Sequence, residues 1–164
     1  MLMTAALTDE LSRTTPTTAC CRRAETIALL RFAGAVHQEP GRIRIEVDLD
    51  TTLVARRLAI AIRALYGYPT QLQVLPTSGY PAAPRHRLQV TAPADAAALA
   101  RRTGLADPRG RLIRGLPAPL VAAAVCDAAA IWRGAFLADN TAHRTGIPDT
   151  TAARTPDLTP EAFQ

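Results

Sequence analysis

Three short runs of this chain place arginine or glutamine at every second position: Arg42 and Arg44, then Gln71 and Gln73, then Arg85, Arg87 and Gln89. Residues two apart share a face of a β-strand, so each run shows these side chains to one side. Arginine forks onto phosphate oxygens and the O6/N7 edge of guanine, and glutamine matches the N6/N7 edge of adenine. A face carrying all seven therefore offers contact with duplex DNA. Glu46 and Asp48 interleave with the first run and dilute its positive field; the competing reading is an ordinary solvated sheet face.

Other residues capable of chemistry are sparse. Cys20 and Cys21 are adjacent and Cys126 is distant, an odd set that builds no secretory disulfide framework. Neighbouring helical residues point about 100° apart, so Cys20 and Cys21 are not expected to share a metal. They read as small half-buried helix residues, with a redox or metal role together with Cys126 as the alternative. His37 and His86 fall within or beside strands at no metal-ligand spacing. Arg56 and Arg63, seven apart with Arg57 nearby, read as a solvated helix face rather than a contact patch. No Ser/His/Asp set, CxxC, HExxH or phosphate-binding glycine loop supplies another chemistry, and no cofactor or metal is expected.

The elements that must position these residues follow from periodicity. Residues 4–14 predict a short helix whose Leu7 and Leu11 could dock on a core. From Ala19, the positions Ala24, Ile27, Ala28, Phe32 and Ala35 follow helical spacing, with Arg22, Arg23 and Glu25 as a polar flank. Residues 42–49 alternate without fault, with Ile43, Ile45, Val47 and Leu49 on one side, and pair with 35–38 through the turn Glu39-Pro40-Gly41. Asp50 offers an N-cap to a helix carrying Leu53 or Val54, Leu58, Ala61, Ile62 and Leu65 and ending near Gly67. A second hairpin, 71–75 with 85–91, turns Leu72, Val74, Leu88 and Val90 inward. Pro93 opens a helix that stops before Gly104.

The stretch 118–137 is apolar nearly all round, with Val121, Val125, Ile131, Trp132 and Phe136 as bulky members, and predicts a deeply buried helix. It also echoes the first long helix. Leu29 to Ala35 and Trp132 to Asn140 each close on alanine and a small residue, a pattern that lets two helices pack almost backbone to backbone. Beyond residue 139 come six threonines and three prolines in 25 residues, expected to be disordered.

A chain of 164 residues suits one folded domain. All 19 basic residues are arginine, as GC-rich coding produces, and the net charge of +5 with a pI near 9.8 permits nucleic-acid binding without requiring it. No run approaches the roughly 18 apolar residues of a membrane span, and Asp9 and Glu10 interrupt the place of a signal-peptide core. A cytoplasmic protein without membrane association is expected.

Cys-Cys-Arg-Arg-Ala-Glu at 20–25, Leu-Leu-Arg-Phe-Ala-Gly at 29–34, Val-Ala-Arg-Arg-Leu at 54–58, Leu-Tyr-Gly at 65–67, Arg-Gly-Leu-Pro at 114–117, Cys-Asp-Ala at 126–128 and Trp-Arg-Gly-Ala-Phe-Leu-Ala at 132–138 resemble the WhiA family. These are bacterial regulators of sporulation and cell division, abundant in actinobacteria. The resemblance implies an α+β fold, a LAGLIDADG-like αββαββα repeat with an antiparallel sheet plus the start helix of a second repeat. It implies this organisation: an N-terminal helix and linker at 1–18, the repeat at 19–105, a linker and second LAGLIDADG-type helix at 106–139, and a tail at 140–164. The sheet of a second repeat and the C-terminal helix-turn-helix of such regulators find no counterpart, so a truncated or frame-shifted amino-terminal part is expected.

An active LAGLIDADG nuclease sets an acid at the end of each motif helix to hold divalent metal. Gly34 stands at the first such position and Asp139 at the second, which implies a catalytically inactive scaffold. The expected function is weak or accessory DNA binding through Arg42, Arg44, Gln71, Gln73, Arg85, Arg87 and Gln89. The alternative is an interaction module whose partner is a WhiB-type iron-sulfur protein, a full-length WhiA or a second copy of this chain as a homodimer; a degraded homing endonuclease is a distant third.

Overall fold

In the computed structural model, which describes residues 2–76 and 84–142, two hairpins and their covering helices form one α+β unit. In chain order these are α1 (Leu2–Arg13), α2 (Ala19–Phe32), β1 (Gly34–Glu39), β2 (Arg42–Leu49), α3 (Thr52–Tyr66), β3 (Thr70–Leu75), β4 (Arg85–Val90), α4 (Pro93–Arg102), α5 (Ala118–Val121) and α6 (Val125–Ala142). The four strands make one antiparallel sheet in the order β1-β2-β4-β3. The alternation in 42–49 decides its orientation. Ile43, Ile45, Val47 and Leu49 are buried with Leu88 and Val90 from β4, against Leu29 and Leu30 of α2, Val54, Leu58 and Ile62 of α3 and Leu99 of α4. Gly41, at φ +78°, closes the first hairpin in a conformation that other residues resist.

Several expectations shift. The first long helix stops at Phe32, so Gly34 and Ala35 open β1 instead of closing α2, and Phe32 is exposed. Leu11 packs against the core while Leu7 stays exposed. Thr51, not Asp50, is the N-cap of α3 and makes no side-chain capping bond. Val74 does point to the helix side, paired with His86, yet it lies on an edge strand and is 66% exposed.

The largest departure concerns 118–137. The segment breaks between Val121 and Val125 into α5 and α6, and Val121, Val125 and Trp132 are exposed. What α6 buries is mostly small: Ala130, Gly134 and Ala138, with Leu137 and, in its first turn, Asp127. A Cβ on Gly134 would lie 2.8 Å from Ala28 Cβ and 2.9 Å from the Glu25 carbonyl oxygen, so α2 and α6 meet almost backbone to backbone. Helix α6 runs on to Ala142; the expected tail otherwise lies outside the described residues.

Glu25, expected on a polar flank, is 3% exposed. Its carboxylate lies 2.9 Å from Arg57 Nη2 and 3.4 Å from Arg133 Nη1, joining α2 to α3 and α6. Arg57 also donates to the carbonyls of Ser12 and Thr14. It is a tie for the end of α1, and not part of a solvated face.

Candidate nucleic-acid interface

With one side of the sheet taken by helices, the residues between the buried positions turn the other way. Register places Glu46 across from Gln89 and Gln89 across from Gln71, and in the next row Asp48, Arg87 and Gln73. Arg42 and Arg44 continue along β2 opposite Glu39 and His37 of β1, and Arg85 lies opposite Leu75. Arg42, Arg44, Gln71, Gln73, Arg85, Arg87 and Gln89 therefore share one face. The β2–β4 ladder runs from Glu46 to Leu49, and a hollow opens beyond it, lined in part by Arg42, Arg44, Gln71 and Gln89.

Charge on this face is largely compensated. Arg87 holds Asp48 with two hydrogen bonds of 2.8 and 2.9 Å, and Arg85 lies 3.5 Å from the same carboxylate. Arg44 sits 3.4 Å from Glu46 and 3.6 Å from Glu39, which Arg42 also contacts at 2.8 Å. Gln89 donates to Glu46 at 2.8 Å, while Gln71 and Gln73 are exposed. The hydrogen bonds from Arg87 hold the Asp48 carboxyl below its ordinary range against the opposing effect of burial, with Arg87 and Arg85 charge adding to them. Four arginines against three carboxylates leave a mild positive field, and a phosphate must compete with ready-made partners.

Glu39, expected in the turn, and His37, expected only within or beside a strand, also belong to this face, because the two-residue turn at Pro40-Gly41 carries the alternation of β2 back onto β1. His86 turns to the other side, where it is buried, with Nε2 2.9 Å from Thr52 Oγ1. Gly34 lies where α2 hands over to β1, and a Cβ there would run into the carbonyl oxygen of Leu30. Asp139 is exposed on α6.

The cysteines are closer together than one helix suggests. One ligand atom from each of Cys20, Cys21, Cys126 and Asp127 lies within 4.8 Å of the others, because the starts of α2 and α6 come together. The 100° step between Cys20 and Cys21 along one helix therefore does not keep their sulfurs apart from a common point, because α6 brings Cys126 and Asp127 to the same place. The Thr18 hydroxyl pulls the Cys21 thiol down, but burial and the thiols of Cys126 and Cys20 outweigh it and leave it pushed up to about 11.

Residues 19–106 match the family of the WhiA N-terminal LAGLIDADG-like domain. The chain is 51% identical over 138 residues to proteins called probable cell division protein WhiA from Streptomyces avermitilis, covering 84% of this chain and 41% of that one, and from Salinispora tropica, covering 84% and 42%. It thus spans about two fifths of the length of these relatives. A crystal structure of full-length DUF199/WhiA from Thermatoga maritima is similar at 14% identity and a TM-score of 0.47, over 80% of this chain and 37% of that one.

Proposed function

Because the chain belongs to the WhiA family, we propose that it serves a transcriptional regulator of sporulation and cell division as a non-cleaving element that adds weak, accessory DNA contacts. The observation that carries this reading is the gathering of four arginines and three glutamines on the sheet face opposite the helices. The ion pairs there argue for weak binding, since each arginine that grips a phosphate gives up a carboxylate partner. The absence of cutting rests on Gly34, which has neither a carboxylate nor room for one, so Asp139 has no opposite acid with which to share metal.

Titration of duplex DNA by fluorescence anisotropy at low and moderate salt tests this. Wild type binds at low salt, and Arg44→Ala with Arg87→Ala weakens binding and lowers the log-log salt slope by about 2. Since Arg87 also anchors Asp48, a second variant, Gln71→Ala with Gln73→Ala, tests the face without disturbing an ion pair and should weaken binding too. No binding at low salt, or equal binding by all three proteins, rejects the sheet face; magnesium-dependent cleavage rejects the reading of Gly34.

A second reading is favoured by Val121, Val125 and Trp132, exposed along α5 and α6. Such a surface suits a protein partner: a second copy of this chain, a full-length WhiA or a WhiB-type iron-sulfur protein.

A further inference from the structure

We propose that Cys20, Cys21, Cys126 and Asp127 form a binding site for one thiophilic divalent cation, with zinc as the best match, clamping the first turns of α2 and α6 together. The arrangement begins with helix direction. Cys20 and Cys21 near the start of α2 meet Cys126 and Asp127 at the start of α6, and eight residues further along each helix Ala28 meets Gly134. The two helices therefore run parallel, and both amino-terminal ends converge on the cluster. Ala24 and Ala130 pack beside Cys21 just below it, so the close seam fixes the separation of the four ligands.

The donor set suits zinc. Three sulfurs and one carboxylate oxygen make a four-coordinate site for a borderline-soft ion, and Zn–S bonds of about 2.3 Å in a tetrahedron set sulfurs roughly 3.8 Å apart. A cluster already within 4.8 Å reaches that spacing by small side-chain rotations.

A second observation points the same way. Asp127 is 7% exposed, its carboxylate accepts a long contact of 3.9 Å from the Cys126 thiol, and it lines one cavity with Cys20. Among the described residues no arginine forms an ion pair with it. A metal held by the three sulfurs would take this carboxylate oxygen as its fourth ligand. Cys20 and Cys126 are exposed, so the cluster opens to solvent on one side and an ion can enter. Binding releases the thiol protons and adds a tie at the start of two helices already joined by small residues and by the Glu25–Arg133 ion pair.

The test uses the full, untagged chain with its thiols kept reduced and counted. After exposure to zinc and dialysis, elemental analysis should find one zinc per chain. Cobalt(II) should give thiolate-to-cobalt charge-transfer bands and tetrahedral d–d bands that zinc then bleaches. Cys20→Ser with Cys126→Ser changes two exposed positions and spares the core; it should lose the charge-transfer bands and at least ten-fold in affinity, and Asp127→Asn should weaken cobalt binding while keeping the sulfur bands. Zinc should raise the melting temperature of wild type and not of the double variant. A wild type with three free thiols that retains no zinc overturns the proposal, as does zinc retention unchanged in Cys20→Ser with Cys126→Ser.

Discussion

At Glu25 a carboxylate is withdrawn from water and held between Arg57 and Arg133, and the opposing effects can be ranked. Burial is the larger and lifts the Glu25 carboxyl above its ordinary range, while the arginines pull it back without cancelling it. Burial likewise lowers the Arg57 guanidinium. Taking the carboxylate away leaves two mostly buried cations facing each other. Glu25→Ala should therefore cost roughly 3 to 5 kcal/mol in urea unfolding, and a loss within the ordinary surface range would refute the buried network. The two perturbed carboxyls act in opposite senses with pH. A raised carboxyl contributes stability below its unfolded value, about 4.3, and loses it as pH rises through the folded value. Asp48 is lowered, so its contribution is present above an unfolded value of about 3.9 and is lost as pH falls through the folded one. Asp48→Asn should thus flatten the fall of melting temperature on the acid side; the same acid slope in variant and wild type would count against the Asp48–Arg87 pair.

The seam between α2 and α6 shows at the level of elements what the sequence made legible and what it hid. Strands announced themselves by strict alternation, and the packing obeys it; the close helix contact that the small residues suggested does form, but in mid-helix, where Ala24 and Ala28 of α2 meet Ala130 and Gly134 of α6, and not at the end of the first helix, where Gly34 and Ala35 open β1. Burial of the bulky residues of 118–137 could not be read the same way. Where small residues make the contact, the large ones face away, and a count of apolar side chains does not say which side meets the neighbour. Val74 failed for a related reason, since alternation gives the side of the sheet but not whether a helix covers that edge. The cysteine cluster and the Glu25 network each need two or three elements brought together, so spacing within one helix concealed them. Parallel α2 and α6 leave no space at Gly134, where an added Cβ sits 2.8 Å from that of Ala28. Gly134→Ala should accordingly destabilise by about 1 to 3 kcal/mol despite the better helix propensity of alanine, measured by denaturant unfolding followed by circular dichroism. Ala129→Ser, at an exposed position of the same helix, should stay within about 0.5 kcal/mol. Equal effects at the two positions would argue against the backbone-close seam.

For the molecule as a whole, the two broad surfaces differ in kind. The sheet face is polar and nearly neutralised by its own ion pairs, whereas α5 and α6 expose apolar area in Val121, Val125 and Trp132, the last at 76%. A tryptophan buries about 150 to 250 Å² at an interface, a gain of roughly 4 to 6 kcal/mol at about 25 cal/mol per Å². Association costs about 4 to 15 kcal/mol in lost freedom before any contact counts. Trp132 alone therefore only reaches the lower end of that cost, and the two valines must add to it, so pairing of two copies through this surface should be weak and visible only at high concentration. In a symmetric pair each Trp132 is buried by the partner copy. Sedimentation velocity over a concentration series should then show a monomer–dimer equilibrium, with tryptophan emission shifting to the blue as the dimer fills. Trp132→Ser should move the equilibrium toward monomer by ten-fold or more while leaving the melting temperature of the dilute protein unchanged, because an exposed side chain contributes little to the fold. A single monomeric species at the highest concentrations, with emission that stays at the solvent-exposed wavelength, would eliminate self-association and leave a different protein as the occupant of this surface.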